Sequence, residues 1–120
     1  MEEILNQAQR LGKLIAQHLR TQAMQQVSAA ARADTDAQRL LDDHRRQAEH
    51  IHRLENEGKP IEVADKHKLA DLEAKVAGNP LIMKLMKAQA DYVELMQAVN
   101  SAIGSQLSPE TPTASPRQQQ

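Results

Sequence analysis

Five histidines, His18, His44, His50, His52 and His67, are the side chains of this sequence best suited to hold a metal ion. A helical metal pair needs ligands three or four residues apart on one face. His50 and His52 sit about 200° apart around a helix, and His44 lies a further six residues upstream, so neither combination forms a local ligand pair. The spacing favours surface histidines, and only a site assembled between helices or between chains escapes that test. Acidic residues pose the next question. Asp42 and Asp43 beside His44, with Glu55 and Glu57 further on, suggest carboxylate catalysis, but the segment is densely charged and has no glycine-rich loop or apolar pocket residues around it. A solvated helical face is the simpler reading. Arg39, Arg45, Arg46 and Arg53 could meet phosphate, yet residues 34 to 60 hold seven acids against five bases and no aromatic side chain on which a base could stack. Direct nucleic-acid binding is not expected.

The remaining polar residues of interest sit among apolar ones. Gln89 and Asn100 fall within the apolar arc of a long C-terminal segment, where an amide side chain destabilises unless it is hydrogen-bonded. Two readings stand: either they lie at the edge of the arc, or they pair across an interface and fix its register and partner, as a buried asparagine does in coiled coils.

The chain has no cysteine, which excludes disulfides, thiolate zinc sites, cysteine-ligated iron-sulfur clusters and thiol nucleophiles. No cofactor and no enzymatic activity are expected. The 15 basic and 16 acidic residues nearly cancel, so there is no broad field to attract a polyanion. The start, Met1-Glu2-Glu3, lacks a basic segment followed by an apolar run, and no stretch approaches the 18 or so apolar residues of a membrane span. The protein is therefore read as cytoplasmic.

Helices must position whatever these residues do. The composition is rich in Ala, Leu, Gln, Glu, Lys and Arg, with four glycines and one aromatic residue, Tyr92, so any core is built from aliphatic side chains and methionine on helical seams. Ile4, Ala8, Leu11, Ile15 and Leu19 share one helical face. The stripe lapses at Gln22, Gln25 and Gln26, which predicts a kink or a short second helix there. Asp34 and Thr35 are both suitable N-caps, and Thr35 with Gln38 has the spacing of a capping box. The long helix that follows runs to Gly58-Lys59-Pro60, where glycine can turn left-handed and proline blocks continuation. A shorter helix over residues 61 to 77 folds back to complete an αα-hairpin. In Gly78-Asn79-Pro80, the glycine ends one helix, Asn79 caps the next, and Pro80 suits its first turn.

The last helix, from Leu81 to about Leu107, has only four charged residues, Lys84, Lys87, Asp91 and Glu94. Its large apolar side chains cover about half the circumference, against the stripe of about 100° usual for a surface helix. One neighbouring layer cannot cover that arc. Leu85, Tyr92, Met96, Val99 and Ile103 at its centre, with Gln89 and Asn100, are the expected interface residues. The expected fold is all-α: an antiparallel bundle over residues 1 to 107 with a long αα-hairpin and a C-terminal packing helix. Residues 108 to 120, with three prolines and no apolar periodicity, read as a disordered tail.

The order and spacing of Glu2-Glu3-Ile4-Leu5, Leu11-Gly12, Ala33-Asp34-Thr35-Asp36-Ala37, Gly58-Lys59-Pro60-Ile61, Asn79-Pro80-Leu81-Ile82, Ala88-Gln89-Ala90-Asp91-Tyr92 and Val99-Asn100 carry a resemblance. Over residues 2 to 107 the chain resembles the YlbF/YmcA-like family of small bacterial helical proteins, including its YheA-like branch. The resemblance implies a bundle that forms homodimers or hetero-complexes with related helical proteins and acts as an accessory regulator. Relatives affect competence, sporulation and biofilm formation; some are thought to act with an endoribonuclease, and some associate with cysteine-ligated iron-sulfur clusters. This chain has none of those cysteines. It also has Thr35 where the family usually has proline, and it lacks a Thr-Pro-Glu-Glu type helix start after Ile61. The expected function is thus a regulator or adaptor working through helix packing. A helical holdase with an apolar groove is the alternative, and a metal-binding protein is the least supported.

Overall fold

A computed structural model describes residues 1 to 108; the expected disordered tail lies, but for Ser108, outside the described residues. The described chain is all-α, with helices α1 (Glu2–Gln17), α2 (Leu19–Ala33), α3 (Thr35–Asn56), α4 (Val63–Ala77) and α5 (Pro80–Leu107). The hairpin and the long last helix are as the sequence implies. A second helix is present as expected, but the break before it lies upstream of the lapsed stripe. It falls at His18, whose extended backbone (ψ 144°) ends α1 while its Nδ1 accepts the Arg20 amide at 3.0 Å. The Gln22 to Gln26 stretch stays helical because glutamine is a good helix former even where the apolar stripe lapses.

Asp34 is the N-cap of α3: its Oδ1 accepts the Ala37 amide at 2.8 Å. The Thr35–Gln38 capping box is not used. Thr35 is the first helical residue, and Gln38 donates instead to the Ala31 carbonyl at the end of α2, at 2.9 Å, tying the two helices together. Asn79 caps α5 in the same way, with its Oδ1 accepting from Ile82 at 3.0 Å and Pro80 opening the helix. In both cases the residue three beyond the cap is fully buried, so each cap fixes a helix start whose next inward residue is core. That core is small. Ala37, Val76 and Ile82 meet where α3 begins, α4 ends and α5 begins, with Leu40, Leu41 and Leu81 packed around them.

Gly58 takes φ +70°, and the amides of Gly58 and Lys59 donate to the carbonyls of Glu55 (3.1 Å) and Leu54 (2.9 Å). These two bonds satisfy otherwise orphaned carbonyls at the end of α3 and turn the chain into the hairpin. Buried Gln47 holds the hairpin from within, donating through Nε2 to the Asp65 carbonyl at 3.1 Å. α2 runs antiparallel to α5: Arg20 at its start donates to the Asp91 carbonyl (3.2 Å) and to Glu94 (2.7 Å), while Ala23 and Val27 line a groove with Lys84 and Ala88.

Thr21 is 5 % exposed, and its hydroxyl has no hydrogen-bond partner among the described residues. Leaving a buried hydroxyl unsatisfied costs about 1 to 3 kcal/mol. Thr21→Val, which keeps the shape and removes the hydroxyl, is expected to raise stability by about 1 kcal/mol, read as an upward shift of the thermal midpoint. A lower midpoint would show that the hydroxyl is hydrogen-bonded in solution.

Candidate interaction surface

α1 is strongly amphipathic, yet none of its residues is buried. Leu11 and Ile15 are half-covered, whereas Ile4 is 71 % exposed and Leu14 also faces solvent. A 16-residue helix of this kind gains little from propensity alone, and its stability comes from an apolar face laid against something. Among the described residues that face is covered only in part, at Leu11 and Ile15.

α5 presents two parallel rows. Leu81, Leu85, Ala88, Tyr92, Leu95 and Val99 follow alternating steps of four and three, and all are buried or half-buried. This row faces the bundle, where α2 lies. A second row follows the same rhythm one step around the helix: Ile82, Met86, Gln89, Val93, Met96, Asn100, Ile103 and Leu107. Ile82 is buried in the core, and beyond it the row opens to solvent, with Met86 49 %, Val93 50 %, Ile103 47 % and Leu107 78 % exposed. Lys84, Lys87, Asp91 and Glu94 all lie on the opposite side of α5. Two of them pair with each other, Lys87 to Asp91 at 2.9 Å, and Glu94 pairs with Arg20.

The expected interface residues are thus divided between the rows. Leu85, Tyr92 and Val99 lie half-buried in the inner one; Gln89, Met96, Asn100 and Ile103 lie in the outer one, where Gln89, Asn100 and Ile103 are exposed and Met96 is half-buried. Met86, Val93 and Leu107 complete the outer row, and the four-three spacing running from Met86 to Leu107 is the signal that identifies them. At the N-terminal end of α5 the row borders an apolar groove of about 400 Å³ lined by Leu41, Val76, Ala77, Met83 and Met86, with His44 and Glu73 at 4.0 Å on its rim.

The charged candidates are spread along the hairpin rather than gathered in a pocket. Arg45 binds Asp42 and also reaches Glu49 at 3.3 Å, while Arg46 reaches Asp42 at 2.6 Å. Hydrogen bonding to Asp42 first, and then to Glu49, holds the Arg45 guanidinium above its ordinary pKa. These neighbouring charges satisfy one another along a single helix. His50 lies 3.4 Å from Asp65 and His52 lies 4.0 Å from Glu55, each beside one carboxylate, and His18 serves as a helix cap. Among the described residues no three metal-ligating side chains are grouped to hold an ion, and no helix is long and apolar enough to cross a membrane.

Residues 4 to 108 match the family model described as control of competence regulator ComK, YlbF/YmcA. The chain is also 25 % identical over 101 residues to a UPF0342 protein of Desulfitobacterium hafniense (strain Y51), covering 84 % of this chain and 77 % of that one.

Proposed function

The chain belongs to the YlbF/YmcA family, and we propose that it is a non-catalytic regulatory adaptor that works in the cytoplasm by packing its helices against partner helices. The observation that carries this reading is the exposed apolar surface among the described residues: much of the amphipathic helix α1, and the outer row of α5 beyond Ile82. A monomer with so few large buried side chains has little to set against the entropy of ordering its chain. Association supplies the missing burial. The proposed partners are a second copy of the chain and related helical proteins, and through them a ribonuclease-associated complex. Regulation then follows from which helix occupies which face.

The same exposed surface also favours a second reading, a holdase that keeps its apolar faces free for unfolded clients. Sedimentation at micromolar concentration, combined with binding of a dye specific for exposed apolar surface, separates the two. An adaptor sediments as a dimer or larger and binds little dye. A monomer that binds dye strongly and suppresses aggregation of unrelated unfolded proteins would replace the adaptor reading with the holdase.

A further inference from the structure

We propose that the outer row of α5 is the site at which a second copy of this chain docks, antiparallel, in a register set by Gln89 of each copy meeting Asn100 of the other. This rests on the adaptor reading above and gives it a geometry. Place a twofold axis across α5 between Glu94 and Leu95. Met86 then faces Ile103 of the second copy, Gln89 faces Asn100, and Val93 faces Met96, each contact occurring twice by symmetry. The two amides in the row, which would otherwise interrupt an apolar seam, face each other. Each side-chain amide has a carbonyl acceptor and an NH2 group with two donors, so the pair can bond reciprocally, with the second N–H of each left to face the solvent at the seam's edge. The flanking positions Ala90, Gln97 and Gly104 carry no charge, so nothing repels the approaching helix.

A parallel pair would also match amide to amide, Gln89 with Gln89 and Asn100 with Asn100. The ends of α5 decide between the two. In the antiparallel pair Leu107, 78 % exposed in the protomer, arrives level with Ile82 of the second copy. Ile82 is already buried, and the open space at that level is the apolar groove beside Met83 and Met86. One arrangement therefore covers the most exposed apolar residue of α5 and brings it against an apolar groove, twice over. A parallel pair leaves both grooves empty and sets the two α3–α4 hairpins side by side at one end. Antiparallel dipoles also attract. A stable dimer needs about 800 Å² on each partner. The seam from Met86 to Leu107 runs along about 30 Å of helix, and the contacts of Leu107 at the two grooves extend it.

The test exchanges the amides for charges. Gln89→Lys alone and Asn100→Glu alone each place a charge opposite an amide, and each is expected to raise the dimer dissociation constant at least tenfold. The double variant Gln89→Lys/Asn100→Glu sets lysine against glutamate in the antiparallel register and is expected to return to within about threefold of wild type, an effect lost in high salt. In a parallel register like charges face each other, and the double variant is weaker than either single one. A wild-type dimer whose double variant does not recover overturns the register and leaves self-association standing. A monomeric wild type overturns both. Because the chain has no cysteine, a spin label on Ser105→Cys gives a second readout that leaves the seam intact. The antiparallel pair puts the labels about 30 Å apart, whereas labels much closer than this identify the parallel pair.

Discussion

Ile82→Asp is expected to abolish the cooperative unfolding transition, and Ile82→Ala to lower stability by about 2 to 5 kcal/mol. Ile82 is fully buried, and its neighbours in the core, Ala37, Val76, Leu40, Leu41 and Leu81, are all apolar. A carboxylate there has no cation among those neighbours and must either be buried charged or take up a proton, and both are costly. Three helices meet at this one side chain, so the loss is not confined to α5. Against a total of about 5 to 15 kcal/mol for a domain, the alanine variant alone removes a large share. Denaturant unfolding followed by far-UV circular dichroism reads both variants. It is run at several protein concentrations, since association adds to apparent stability. Val63→Ala, at a position 65 % exposed, is the control and should change stability by less than about 0.5 kcal/mol. An Ile82→Ala variant no less stable than that control would show that the junction of α3, α4 and α5 is not the core.

The features legible in the sequence are those fixed by local chemistry. Asn79 followed by Pro80, and Gly58 followed by Lys59-Pro60, mark helix ends because the side-chain cap and the left-handed turn depend on two or three adjacent residues. The α1–α2 break lies at His18 rather than at the lapsed stripe for the converse reason. Histidine neither breaks nor strongly caps helices, so nothing local marks His18, and the stripe through Leu19 continues past the bend. Gln38 shows a different failure. Its spacing from Thr35 fits a capping box, but Asp34 already satisfies the helix start and the Ala31 carbonyl offers Gln38 a partner across the turn.

The width of the apolar arc on α5 is also legible, and it implies more than one covering layer. Which half the protomer covers is not, because that depends on where α2 lies, and the contacts between α2 and α5, such as Arg20 with Asp91 and Glu94, join residues 71 and 74 positions apart. Leu85, Tyr92 and Val99 consequently fall on the bundle side, while Met96 and Ile103 fall on the outer side with Gln89 and Asn100.

That division makes Met96→Asp the variant with the largest expected effect on assembly. Met96 is half-buried in the outer row and, in the antiparallel pair, touches Val93 of the second copy next to the twofold axis. One substitution therefore places two carboxylates in the middle of the seam, each against an apolar side chain and close to the other. The dissociation constant should rise at least 100-fold, equivalent to about 2.7 kcal/mol, while the monomer keeps most of its helix because the Ile82 junction is untouched. Sedimentation read alongside circular dichroism separates loss of assembly from loss of fold. Lys84→Asp is the matched control: it adds an acidic residue on the opposite side of the same helix and should leave the dimer intact. A Met96→Asp protein that still sediments as the wild-type dimer would remove the outer row of α5 from the interface and leave the exposed part of the α1 face as the surface on which the copies meet.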